Sequence, residues 1–237
     1  MLPGEKKRKL DNCTTDENRL HFEFYDVPCY NLANYLLGKL LVRKLEDGIV
    51  KGRIVETECY LGGKDKASRS FGGRRTPANE PMFMPPSTSF VYMTYGMYYC
   101  FNISSAEPGA AVLLRAIEPV ENIEKMRQLR YSKRKGASKK NIKDHELGNG
   151  PSKLCMIMDM TKENCNKIDM SKSDVLWIED DPGYDSNFKT VVTSRIGINS
   201  AGEEWAKKPL RFYILNNMSI SIRDKNMEKK LLEDSSN

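Results

Sequence analysis

The stretch I-V-E-T-E-C-Y, at residues 54–60, places two glutamates in a run of otherwise strand-forming residues. Side chains of a β-strand alternate between its two faces. One face of this strand would be small and apolar, which suits packing against a core. The other face carries two carboxylates and a ring, and its members are Ile54, Glu56, Glu58 and Tyr60. The stretch predicts a strand of a sheet with one core face and one acidic face.

The rest of the chain does not alternate regularly between strand and helix patterns. Helical patterns cover 30–38, 120–130 and the residues after Pro151. Strand patterns are more numerous, and residues 90–104 read as two strands joined at Tyr95-Gly96. This order favours one α+β domain with a mostly antiparallel sheet.

Length and composition limit the class of protein. A chain of 237 residues is enough for one large domain or two small ones. With 39% hydrophobic residues and a mean hydropathy of -0.59, the composition predicts a soluble protein with a core. The N-terminus lacks the apolar segment of a secretory signal. Six cysteines without C-x-x-C spacing indicate reduced thiols, and the two histidines have no zinc-ligand spacing, which argues against a metal hydrolase.

Positive charge is concentrated in two places. The net charge is +6, from 38 Lys and Arg against 32 Asp and Glu. Residues 130–143 contain seven basic residues and no acidic one. Such a segment is either a solvated loop or a site that attracts phosphate backbones or anionic membranes. The K-K-R-K run at 6–9 fits a nuclear-import signal.

The acidic strand and one arginine are candidates for chemistry. Residues two apart on a strand are separated by about 6.6 Å, which suits two carboxylates that hold a water between them. A solvent-facing polar strand is the simpler alternative. Arg115 interrupts the apolar run A-A-V-L-L-R-A-I, and an arginine there needs a carboxylate partner. A purely structural ion pair is the alternative for Arg115.

The aromatic hairpin supplies a third feature. Most of its rings are expected in the core, but Tyr95 lies at a tip where small polar residues are usual. An aromatic ring held on a turn can act as a wedge in a base stack, and aromatic faces also stack on an extruded base. Acids, a wedge, stacking rings and a basic segment together suggest hydrolysis of a base from a nucleic acid.

Six motifs carry a resemblance to a known family. "GRIVETECYLG", "PMFMPP", "VYMTYGMYYCFNISS", "AVLLRAIEP", "NGPSKLC" and "KPLRFY" occur in order between residues 53 and 213 or just outside them. They closely resemble the alkyladenine (3-methyladenine) DNA glycosylases. The resemblance implies an α+β glycosylase domain at 21–225, with a curved, mostly antiparallel sheet, flanking helices and a protruding β-hairpin that inserts into DNA. Two tails are expected to be disordered. They are a basic N-terminal tail at 1–20 and a C-terminal tail at 226–237.

The resemblance also implies roles for residues of the acidic strand and its neighbours. Glu58 matches the general base that deprotonates the attacking water, and Arg115 matches the arginine that helps to hold this water. Tyr60 and Tyr92 match the rings that sandwich the flipped base. Glu56 has no catalytic counterpart, which implies a structural role.

Other matches concern contacts with DNA and the choice of base. Tyr95 matches the intercalating tyrosine, and Met97 beside it matches a minor-groove contact. Asn102 matches the asparagine that obstructs the exocyclic amine of guanine. Ile196 and Gly197 match a segment that passes close to the DNA backbone. Lys153, at a predicted helix start, is either a phosphate-binding residue or an ordinary surface lysine.

One position departs from the family pattern. The segment "KASRS" has Arg69 where the family usually has a histidine. A histidine contact to the water or sugar would be lost, and Arg69 places a fixed cation near the pocket. We expect a weaker preference for cationic bases than a histidine would give.

The implied enzyme is a monofunctional DNA-3-methyladenine glycosylase of base excision repair. It would remove 3-methyladenine, 7-methylguanine, hypoxanthine and ethenoadenine from double-stranded DNA without strand cleavage. It calls for no metal or organic cofactor and no membrane. A monomer in the nucleus is expected, with the mitochondrion as an alternative location.

Two rival functions remain at this point. The first is a non-catalytic protein that binds damaged or distorted DNA with the same wedge. The second is an O-glycosidase that uses both Glu56 and Glu58. The first predicts binding without base release, and the second predicts severe loss of activity when either acid is replaced.

Overall fold

The strand that contains the two glutamates is the central strand of the sheet. The computed structural model describes residues 18–133 and 141–234. In it, Gly48–Tyr60 forms the 13-residue strand β2. This strand pairs antiparallel with β1 (Leu40–Leu45), with β5 (Ala111–Glu121) and with β8 (Arg211–Ile214). The segment with Glu56 and Glu58 lies between β5 and β8, which pair with it on either side.

The sheet has eight strands among the described residues, and all of its ladders are antiparallel. Its main path runs β3-β4-β5-β2-β1-β6, and β8 connects β7 to β2. The remaining strands are β3 (Ser89–Thr94), β4 (Tyr98–Ser104), β6 (Leu176–Glu179) and β7 (Thr190–Thr193). The predicted α+β class and the curved antiparallel sheet are confirmed.

Short helices cover the sheet and complete the core. They are α1 (Phe22–Tyr25), α2 (Cys29–Tyr35), α3 (Ile123–Ser132), α4 (Asp144–Leu147), α5 (Pro151–Ile157), α6 (Lys162–Cys165), α7 (Glu203–Lys207) and α8 (Lys225–Glu233). Helix α2 packs against β2 and β5, and α5 packs against β4 and β5. Leu32 of α2, Leu36 directly after it and Leu154 of α5 join the principal apolar cluster with the strand side chains. Burial of this apolar surface is the main stabilising contribution to the fold.

The alternation predicted for residues 54–60 is broken by a β-bulge. Ile54, Val55 and Cys59 all belong to the principal core, so Ile54 does not share the acidic face as predicted. The register between β2 and β5 shifts between Ile54 and Glu56 and again between Glu56 and Thr57. A bulge inserts an unpaired residue and re-aims the side chains that follow it.

The predicted hairpin is present in the structure. Strands β3 and β4 pair from Ser89 with Ile103 to Thr94 with Tyr98. The two tip residues have positive φ, 52° at Tyr95 and 66° at Gly96, as the two central residues of a type I′ turn require. The turn therefore follows the twist of its strands although one of its two residues is an aromatic.

The chain outside the predicted domain is more ordered than expected. Residues 1–17 and half of the basic segment, 134–140, lie outside the described residues. Leu20 is buried and its N–H donates to the Ile178 carbonyl at 2.9 Å, so the predicted disorder up to residue 20 is wrong for residues 18–20. Disorder from 226 onward is also wrong, because α8 occupies most of this segment.

Helix α8 is held by one buried carboxylate. Tyr213 of β8 donates its hydroxyl to Glu228 Oε1 at 2.8 Å. Arg223 donates to both oxygens of Glu228, at 2.7 and 2.9 Å. The N-terminus of the helix is capped by Asp224, which accepts from the Met227 N–H at 3.2 Å. These tertiary contacts order a nine-residue helix that is too short to be stable alone.

We predict that Glu228→Gln lowers the free energy of unfolding by about 1–3 kcal/mol at neutral pH, because charged hydrogen bonds are lost. Burial raises the pKa of Glu228, but the hydrogen bonds from Arg223 and Tyr213 outweigh it and leave the pKa below its usual 4.5. The depressed pKa stabilises the fold above pH 4.5 and this contribution disappears as the pH falls through the folded-state pKa.

Urea denaturation of both proteins between pH 3 and pH 7 measures the effect. The control is Glu233→Gln, which changes an exposed glutamate of the same helix. A stability difference for Glu228→Gln that is equal at both ends of the pH range would contradict the account.

Candidate active site

Glu58 is fully buried and surrounded by three hydrogen-bond donors. Its Oε1 accepts from the Ile196 backbone N–H at 2.8 Å and lies 3.2 Å from Arg115 Nη1. Its Oε2 accepts from the Tyr60 hydroxyl at 2.9 Å. A carboxylate has about four lone-pair positions, so these three donors leave one of them for a further partner. The donors also offset the cost of burying the charge.

Arg115 is shared by the two glutamates. Its Nε lies 3.2 Å from Glu56 Oε1, and its Nη1 contacts Glu58. Arg211 Nη1 also contacts Glu56 Oε1, at 2.8 Å. The predicted carboxylate partner of Arg115 is thus confirmed. A guanidinium bridges both carboxylates, so they do not form a simple pair that holds a water between them.

Glu56 is occupied by ion pairs with two arginines. Burial raises the pKa of Glu56, and the charges of Arg115 and Arg211 offset part of this shift. Its side chain is 1% exposed. The contacts with two buried guanidinium groups fit the structural role predicted for this residue.

Two tyrosine rings, one on β2 and one on β3, each carry a stacked guanidinium. Arg195 Cζ lies 4.6 Å from the ring centroid of Tyr60, and Arg69 Cζ lies 3.8 Å from that of Tyr92. Burial, followed by the charge of Glu58, raises the pKa of Tyr60 well above 10, so its hydroxyl stays protonated and donates. Both rings are positioned before any ligand is bound.

Asn102 lies on β4 opposite Phe90 of β3 and is almost fully buried. Its Nδ2 donates to the Phe90 carbonyl at 3.1 Å, and its backbone pairs with Leu113 of β5. The ring of Phe90 lies 5.2 Å from that of Tyr92. The hydrogen bond to the Phe90 carbonyl fixes the orientation of the Asn102 side-chain amide.

The hairpin tip presents apolar side chains to solvent. Tyr95 is 89% exposed and Met97 is 61% exposed. An L-residue in the left-handed region costs roughly 1–2 kcal/mol, and a bulky residue is uncommon there. An exposed ring in this conformation adds nothing to the core, so its position points to contact with another molecule.

The weaker phosphate candidates differ in their surroundings. The Ile196 N–H already donates to Glu58, so this group is engaged inside the site. Gly197 has φ of 75° and open space around its Cα. Lys153 lies in α5, and its Nζ donates to Asn149 Oδ1 at 2.6 Å. Phosphate contacts of these three residues stay predictions.

Sequence reasoning missed three charged residues that surround the site. They are Asp65, Arg195 and Arg211, and all are buried. Arg211 interrupts the apolar run P-L-R-F-Y-I-L as Arg115 interrupts its own, whereas Arg195 follows Thr193 and Ser194. The rule that predicts an acidic partner for Arg115 therefore applies to Arg211 as well. Among the described residues, no group of three or more His, Cys, Asp or Glu side chains has an arrangement suited to a metal ion.

Comparison with known proteins identifies the family of this chain. The model of the methylpurine-DNA glycosylase family matches residues 23–218. The human DNA-3-methyladenine glycosylase is 48% identical over 89% of this chain and 70% of its own length. The mouse protein of the same name is 49% identical over 96% of this chain and 68% of its own length.

A shorter relative matches nearly end to end. The probable DNA-3-methyladenine glycosylase of Encephalitozoon cuniculi is 45% identical over 82% of this chain and 89% of its own length. The region matched by the family model thus includes the strands of the sheet, Tyr60 and Tyr92, and the buried acids Glu56 and Glu58. The chain belongs to the methylpurine-DNA glycosylase family and is a DNA glycosylase, as the six motifs predict.

Proposed function

We propose that this glycosylase flips alkylated and deaminated purines out of duplex DNA and hydrolyses the N-glycosidic bond to leave an abasic site. Its substrates are 3-methyladenine, 7-methylguanine, hypoxanthine and ethenoadenine. It acts as a monomer in the nucleus, and the mitochondrion is the alternative location. The observation that carries this proposal is the Glu58 carboxylate, which keeps one acceptor position beside two prepositioned aromatic rings.

Glu58 acts as the general base. The free lone-pair position of its carboxylate accepts a hydrogen bond from the attacking water and then its proton. Arg115 helps to hold this water, and the Ile196 N–H and Tyr60 hydroxyl keep the carboxylate in place. Cleavage builds oxocarbenium character on the deoxyribose, which the nearby carboxylate stabilises.

Tyr60 and Tyr92 sandwich the flipped base. Offset stacking of two rings on a planar purine favours the extruded state, whose formation costs a few kcal/mol. Asn102, anchored to the Phe90 carbonyl, obstructs the exocyclic amine of guanine. Damaged bases with weakened pairing are extruded at a lower cost, which adds to their selection.

The hairpin fills the gap that the base leaves. Tyr95 is the exposed residue at the tip of the hairpin, and it enters the stack as a wedge while Met97 contacts the minor groove. Lys153 and the backbone at Gly197 contact phosphates of the DNA. Restacking on Tyr95 offsets part of the cost of extrusion.

We predict that Glu58→Gln slows base release by at least about 10²-fold while lesion binding persists, because the general base is lost and the side-chain shape is kept. The assay uses enzyme in excess over duplexes with a single hypoxanthine, ethenoadenine or 7-methylguanine. Alkaline cleavage at the abasic site reports base release.

The matched control is Glu118→Gln, which changes a glutamate of β5 that pairs with Arg53 outside the site. It should release bases at the wild-type rate. Release by Glu58→Gln at the wild-type rate would contradict the role of Glu58. Binding without release by the wild type would favour the non-catalytic protein instead.

We further predict that Arg69→His increases excision of 7-methylguanine relative to ethenoadenine. The Arg69 guanidinium lies against Tyr92 and repels a cationic base in the pocket. Removing a fixed charge a few ångströms from the base is worth about 1 kcal/mol, or severalfold in the ratio of rates. The single-turnover rates on both lesions give this ratio for each variant.

Arg75→His is the control, because Arg75 also lies over a ring, that of Phe83 at 5.2 Å, and pairs with Glu80. Its ratio should equal that of the wild type. An unchanged ratio in Arg69→His would show that Arg69 does not set the preference between charged and neutral lesions.

A further inference from the structure

Arg195 and Asp65 form a fully buried ion pair next to Tyr60. Arg195 Nη1 donates to Asp65 Oδ2 at 2.6 Å, and Nη2 donates to Oδ1 at 2.9 Å. Both side chains are 0% exposed. The two bonds form the planar, bidentate pair that arginine and a carboxylate make in their strongest geometry.

Stability alone does not account for this pair. Removing two charges from water is costly, and apolar residues of similar volume often stabilise a protein as well or better. Arg195 Nε, in addition, is buried and finds no hydrogen-bond partner among the described residues. The pair is therefore better explained by what it positions.

The pair ties three segments of the site together. Arg195 Nη1 also donates to the Cys59 carbonyl at 3.0 Å, and Cys59 lies between Glu58 and Tyr60. Asp65 accepts from the backbone N–H groups of Leu61 and Ala67, at 3.1 and 3.0 Å, which fixes the loop that follows β2. These bonds hold the end of β2 against the loop that leads to Arg69.

Arg195 contacts the Tyr60 ring, and the residue after it in the chain contacts Glu58. Its guanidinium lies 4.6 Å from the ring centroid of Tyr60, where it supports one face of the ring. Its neighbour in the chain, Ile196, donates its N–H to Glu58. Displacement of Arg195 would therefore loosen both the Tyr60 ring and the Ile196 N–H that donates to Glu58.

We propose that Arg195, oriented by Asp65, is a positioning residue for the excision reaction. It sets the plane of Tyr60 for stacking and places the Ile196 N–H on Glu58. This inference rests on the proposed function, because it assumes that Tyr60 stacks on the flipped base. A lysine cannot replace this arginine, since it lacks the planar fork and the flat face.

The test compares Arg195→Lys and Asp65→Asn with a matched control. Arg53→Lys is the control, because Arg53 pairs with Glu118 and Asp181 at 2.7 Å each and lies 3.9 Å from the Tyr184 ring, away from the site. Rates are measured with saturating enzyme on ethenoadenine and hypoxanthine duplexes. Under these conditions the unfolded fraction of a variant does not change the rate constant.

We expect both site variants to excise about 10- to 100-fold more slowly than the wild type, as displacement of a reacting group by about 1 Å does. The Kd for lesion-containing duplex should change much less than the rate. The fluorescence of bound ethenoadenine, which stacking quenches, should rise in both variants. Arg53→Lys should match the wild type in rate and in fluorescence.

Three results would overturn the proposal. The first is an equal rate for Arg195→Lys and Arg53→Lys. The second is slow excision with unchanged ethenoadenine fluorescence, because Tyr60 would then be in place. The third is loss of folding in both site variants when Arg53→Lys folds, which would make the pair a stability element. Absence of base release by the wild type, in contrast, would be a failure of the proposed function.

Discussion

The contact on which the site depends is one guanidinium shared by two buried carboxylates. Arg115 lies between Glu56 and Glu58 at 3.2 Å from each. Neither acid could be buried without compensation, since an isolated charge in the interior costs far more than a fold can supply. The charges around the site balance in number, because three buried acids lie among three buried arginines. The acids are Glu56, Glu58 and Asp65, and the arginines are Arg115, Arg195 and Arg211.

This balance allows a carboxylate to be held rigidly in a dry environment. Three donors restrain Glu58, and two of them belong to parts of the chain that the sheet brings together from a distance. Groups that are oriented in advance need little reorganisation during the reaction, and this is the usual source of electrostatic catalysis. The proposed chemistry at Glu58 therefore depends on residues that never touch the substrate, Glu56 first among them.

Much of this arrangement was predictable from residue patterns. An arginine in an apolar strand predicts a buried acid, and Arg115 has two. The Tyr95-Gly96 turn was predictable because a glycine interrupts two strand-forming runs, although an aromatic residue at positive φ is uncommon. The bulge at Val55 was not, since register shifts depend on the partner strand. The pairing of Arg195 with Asp65, 130 positions away, and the order of α8 depend on tertiary contacts that no local pattern contains.

The most direct test of the central claim is a crystal structure of Glu58→Gln bound to a duplex with one ethenoadenine. The account predicts the lesion base between the rings of Tyr60 and Tyr92, with the Tyr95 ring in the gap of the duplex. It also predicts that the substituted side-chain amide keeps the contacts of Glu58 with the Ile196 N–H and Arg115. A lesion base that remains stacked in the duplex, or that lies outside the two tyrosine rings, would contradict the account.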